Sequence, residues 1–120
     1  MSDTIVSNAE KLVEAKLNDN LLSICILSIF CGFMIYLAVK GHKKADSPLG
    51  KIILCFLAVS IFILCGFEHC VANLGYFVCS GMFSWKMVLY LLVMILGNGV
   101  GSILLDLLFK LNDKLKDRNV

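Results

Sequence analysis

Two ionisable residues stand side by side where the surrounding sequence is apolar. Glu68 and His69 follow Gly66-Phe67 and precede Cys70-Val71-Ala72-Asn73-Leu74-Gly75. An ionisable group at membrane depth costs ~2.5–3.5 kcal/mol on insertion scales, so it normally faces a cavity or a partner. The glycine before the pair and the Asn-Leu-Gly after it predict a helix that breaks here. Membranes tolerate such a break only where the freed backbone groups are buried in protein or line an aqueous path. The N-terminus of the resumed half-helix would turn partial positive charge toward an anion. A histidine, which gains or loses a proton near neutral pH, suits a weak acid and its anion. The same residues also admit a structural reading, with His69 as a hydrogen-bonded interior histidine and Glu68 ion-paired to Lys16 or Lys86. Both readings stand on residue types alone.

A second cluster, Gly97-Asn98-Gly99-Val100-Gly101-Ser102, lies in another apolar run. Without a preceding strand it is weak as a phosphate-binding loop. Gly97 and Gly101, four apart, instead allow close helix contact, while the Asn98 amide needs a partner in lipid or would line a pore. The six cysteines include no C-x-x-C and no Cys/His pair at zinc spacing, and neighbouring His69 and Cys70 point apart. Thiols in apolar runs act as small apolar fillers. No metal site, cofactor or nucleophile–base pair is indicated, and an enzyme is not expected.

Elements able to position these residues follow from composition. Of 120 residues, 59% are hydrophobic and 17% charged, with mean hydropathy +0.88, against ~45–50% and ~25% in ordinary soluble domains. This excludes disorder, a nucleic-acid binder and a collagen-like fibre, and a net charge of +2 is too small to imply an acidic partner. Segments 21–39, 52–67 and 87–105 contain no Asp, Glu, Lys, Arg or His, and each approaches the ~20 apolar residues that cross a bilayer. An all-α integral membrane chain with three transmembrane spans is expected, the middle one broken at Gly66–His69.

Residues 1–20 form a polar segment in which Ser7-Asn8-Ala9-Glu10 matches a capping box. Ala9, Leu12, Val13 and Leu17 continue at the spacing of a short amphipathic helix. The three-span unit covers 21–109, and 110–120 is a charged tail expected to fray. Basic residues near the span ends set topology. The turn holds Lys40, Lys43, Lys44 and Lys51 and the tail Lys110, Lys114, Lys116 and Arg118, against Lys11, Lys16 and Lys86 on the other side. Eight against three predicts a multi-pass cell-membrane protein with the turn and C-terminus cytoplasmic and the N-terminus outside.

Gly66-Phe67-Glu68-His69-Cys70-Val71-Ala72-Asn73 closely resembles the G-F-E-H-[SC]-[IV]-A-N signature of the formate/nitrite transporter family, and Gly97-Asn98-Gly99-Val100-Gly101 resembles its sixth-helix G-N-x-x-G. The resemblance covers about residues 9–111 and fits the family's second half. It implies half of an aquaporin-like fold of two inverted three-span repeats, a pentameric assembly, and passage of small monovalent anions such as formate, nitrite or hydrosulfide. His69 would then sit at the pore centre between hydrophobic constrictions. Glu68 would lie behind it, Asn73 at the helix break, and Asn98 at the sixth-helix asparagine. Lys16 matches a family lysine sixteen residues before a fourth-helix asparagine, which here is Gly32. Leu74 replaces the usual methionine. The family's first three spans have no counterpart, so the resemblance implies a partner that supplies the complementary half. The alternative is a truncated membrane protein that inserts or associates with related subunits without conducting.

Overall fold

The computed structural model describes residues 3–119, which form five helices. They are α1 (Asp3–Leu17), α2 (Leu21–Lys44), α3 (Pro48–Leu64), α4 (Cys70–Ser80) and α5 (Trp85–Arg118). Local chemistry explains most of the boundaries. Asn20 caps α2 by accepting the Leu22 N–H at 3.1 Å. Ser47 caps α3 through the Gly50 N–H, with Pro48 in the first turn, where its missing donor costs nothing. Ser84 caps α5 through the Met87 N–H.

Two of the helices, α2 and α5, are long and apolar enough to cross a membrane. The remaining apolar stretch is divided between α3, with 17 residues, and α4, with 11. Between them the backbone turns at Gly66 with φ +67°, a left-handed conformation that side chains resist and glycine adopts freely.

One sequence expectation is corrected at the N-terminal end. Ser7 lies inside α1 rather than at its start, so it caps nothing; Asp3 occupies the first turn, where a carboxylate complements the helix dipole. The tail is helical through Arg118, continuous with the apolar part of α5. The amphipathic spacing does act in α1: Ala9 and Val13 are buried, and Val13 packs with Phe77 and Met87.

The most extensive packing is α2 on α5, and small residues make it possible. A Cβ at Gly101 would collide with the Ile29 carbonyl, one at Gly97 with Ser28, and one at Gly32 with the Asn98 carbonyl. Ser28 and Gly32 on α2 thus mirror Gly97 and Gly101 on α5, a close crossing of the kind that associates helices in lipid. Ile24, Tyr90 and Met94 fill the space beside it. α1 packs on α4, and α3 is held mainly by α2. Ala58 alone is buried in α3, and the outer faces carry exposed side chains such as Phe56, Leu64 and Trp85.

Candidate functional site at the helix break

The break between α3 and α4 brings together the residues that stood out in the sequence. His69 is the N-cap of α4, and its Nδ1 accepts the Val71 N–H at 3.1 Å. An accepting Nδ1 places the proton of the neutral ring on Nε2. The imidazole packs against Phe62, with ring centroids 5.3 Å apart.

Glu68 is 4% exposed. Its Oε2 accepts from Lys16 Nζ at 2.7 Å and from the Asn73 amide. The Asn73 amide also reaches Met94 Sδ. Lys16 is itself mostly buried, so α1 delivers a cation to a carboxylate that would otherwise be stranded. Of the partners that charge alone allowed for Glu68, geometry selects Lys16. Lys86 instead lies over the Tyr90 ring.

Asn98 ties the break to α2 and α5. Its Nδ2 donates to the Ser28 and Glu68 carbonyls, each at 2.8 Å, and its Oδ1 accepts the Cys70 N–H at 3.1 Å. Both sides of the amide are therefore engaged within the protein. The first amides of α4 are engaged likewise, Cys70 by Asn98 and Val71 by His69. These two N–H groups are therefore already satisfied within the protein. Among the described residues no buried polar side-chain atom lacks a partner.

Two clefts open at the break. One, about 240 Å³, is lined by Lys16, Phe62, Phe67, His69, Asn73 and Tyr76 among others. The other, about 210 Å³, includes Met34, Ala38, Cys55, Phe62 and His69. Phe62 and His69 are the two residues common to both walls. Phe62 drew no notice in the sequence because a phenylalanine in an apolar run is indistinguishable from lipid-facing bulk. In the sequence Gly32 stands out only as a missing asparagine, because its place at the helix crossing depends on where α5 lies.

Long apolar helices around an internally paired polar break define a membrane-embedded helical protein. The formate/nitrite transporter family model matches residues 1–111, and the chain belongs to that family, one of transporters and channels rather than enzymes. The chain is 34% identical over 61 residues to "Formate channel FocB" of Escherichia coli (strain K12), covering 51% of this chain and 22% of that protein. It is 26% identical over 113 residues to "Uncharacterized transporter YrhG" of Bacillus subtilis (strain 168), covering 90% of this chain and 42% of that protein. The chain thus spans less than half the length of these relatives. No solved structure matches it.

Proposed function

We propose that the chain is the second half of a formate/nitrite-type channel for small monovalent anions, and that His69 and Phe62 form its central partition. In this reading α3 and α4 together make one broken span between α2 and α5, half of an aquaporin-like repeat pair. A complementary three-span half, on the same or another polypeptide, closes the path, and the protomers assemble as pentamers. The observation that carries the proposal is that His69, at the break, is a wall of two clefts with only Phe62 sharing that position.

The mechanism follows from the hydrogen bonds. Lys16 and Glu68 compensate each other, so their pair holds the break without trapping an anion. An anion entering the cleft beside Lys16 meets the positive end of the α4 dipole and sheds water against Phe62 and Phe67. The Nε2–H of His69 is the donor that can replace that water, because Nδ1 is occupied by Val71. Desolvating an anion without such a donor is prohibitive. A proton added to His69 would have to displace the Val71 N–H from Nδ1, which couples ring protonation to uncapping of α4.

The test separates the two jobs of His69. Asparagine is a good N-cap, so His69→Asn keeps the Val71 contact and removes the imidazole, whereas His69→Phe removes both. With a complementary half co-expressed, formate uptake into vesicles should fall at least tenfold in both variants, with assembly preserved in His69→Asn. Unchanged uptake in His69→Asn would remove the imidazole from the path. No uptake in the unmodified assembly would leave the alternative, a unit that inserts and associates without conducting.

A further inference from the structure

A further groove adjoins the cleft of Met34, Ala38, Cys55, Phe62 and His69, sharing Met34, Ala38 and Ala58 with it, and runs from there to the end of α2. It is an open trough of about 460 Å³, with α2 as its floor and α3 and Phe109 of α5 beside it. That volume falls within the ~300–1,000 Å³ of small-molecule sites. Its depth is lined by Met34, Leu37, Leu54 and Ile61, and Lys40 and Lys44 stand at one end. From Met34 to Lys44 the floor advances ten residues of helix, ~15 Å at 1.5 Å per residue. This is half of a ~30 Å hydrocarbon core, the depth of one leaflet.

The charged end is formed by Lys40 and Lys44, one helical turn apart on α2. Lys40 Nζ is held 3.8 Å from the Phe109 ring centroid and 3.2 Å from the Tyr36 hydroxyl. The nearby Asp106 is engaged by Tyr36 at 2.6 Å and by Lys110 at 2.7 Å. Among the described residues neither Lys40 nor Lys44 has a carboxylate within ion-pair distance. Two cations with no direct ion pair, Lys40 reaching Asp106 only through the Tyr36 hydroxyl, therefore stand at one end of an apolar trough one leaflet deep.

We infer that this trough is a binding site for one anionic phospholipid, its acyl chain lying along Leu37, Leu54 and Ile61 and its headgroup phosphate between Lys40 and Lys44. The inference rests on membrane placement and on the orientation expected from the basic residues, which puts this lysine-rich end at the cytoplasmic leaflet, where anionic headgroups concentrate near basic segments. It does not rest on anion transport.

Adjacent charge reversals provide the test. Lys43 and Lys44 are both exposed at the end of α2, but only Lys44 lines the trough. Lys44→Glu and Lys43→Glu therefore change net charge equally and leave the fold intact. The purified chain in detergent is incubated with dioleoyl phosphatidylglycerol or dioleoyl phosphatidylcholine, and lipid retained per chain is read by native mass spectrometry. About one phosphatidylglycerol should be retained in preference to phosphatidylcholine. Lys44→Glu should lower that retention about tenfold, and Lys43→Glu should leave it within twofold. Excess glycerol 3-phosphate should not displace the lipid, since it has no acyl chain. Equal loss in both variants would reduce the effect to general surface charge, and equal retention of the two lipids would reduce the trough to apolar surface without headgroup selection. Either result overturns the site. Recovery of the chain outside the membrane fraction would overturn the placement and the site together, whereas failed anion flux would leave the lipid result standing.

Discussion

Glu68 shows how one residue can be anomalous in sequence and ordinary in place. A carboxylate in an apolar run is costly only if it stays alone, and here Lys16 approaches from a helix 52 residues away in sequence. Removing one member of a buried pair costs ~3–5 kcal/mol because the other charge is left uncompensated. Lys16→Met should therefore lower stability in detergent strongly, as read by thermal unfolding of the purified chain. Lys16→Met/Glu68→Gln should recover most of the loss, since the neutral amide keeps a hydrogen-bonding partner in Asn73. If the double variant is as unstable as the sum of the singles, the two residues are not energetically coupled.

At the scale of elements, the α2–α5 crossing depends on missing side chains. Gly99 and Gly101 lie two residues apart on one helix, yet a Cβ at Gly99 meets nothing within 4 Å while one at Gly101 strikes the Ile29 backbone. A helix-interior glycine costs ~0.5–1 kcal/mol relative to alanine when nothing crowds it, so Gly99→Ala should stabilise the chain by about that amount. Gly101→Ala should destabilise it by ~1–3 kcal/mol, the usual range for overpacking, because a backbone carbonyl cannot move aside as a flexible side chain can. Opposite shifts in unfolding midpoint check the pair. Shifts of equal sign would place the close contact elsewhere on α5.

At the scale of the whole molecule, the buried core is small and the exposed apolar surface large. Side chains such as Leu22, Ile52, Phe56, Leu96 and Ile103 are well exposed on the outer faces of α2, α3 and α5. Lipid or further protein must cover them. The proposed orientation rests on the basic residues gathered at the α2–α3 turn and the end of α5. A phosphatase reporter that folds only outside the cytoplasm should therefore be inactive when joined after Lys116 and active when joined before α1. The reverse pattern would invert the proposed topology.

The share of this that was legible beforehand divides by the range of the interactions involved. Charge-free runs, the glycine at the break and the spacing of Ala9 and Val13 depend on neighbours a few residues apart, and composition and periodicity report such neighbours directly. The motif around Glu68-His69 likewise pointed to the family that the comparisons then showed. The start of α1 was misplaced because Ser7-x-x-Glu10 satisfies a local rule that a helix already begun by Asp3 does not need.

What the amino acids in order determined, then, was where the chain is apolar, where it breaks and which ionisable residues lie at the break. Only the tertiary structure decided which partners those residues take. It paired Glu68 with Lys16 rather than Lys86, engaged both sides of the Asn98 amide, and made Phe62 the companion of His69. It also placed Lys40 and Lys44 at the end of a trough. Each outcome depends on the approach of helices distant in sequence, and hydrophobic periodicity fixes the face a helix buries but not the residue it meets there.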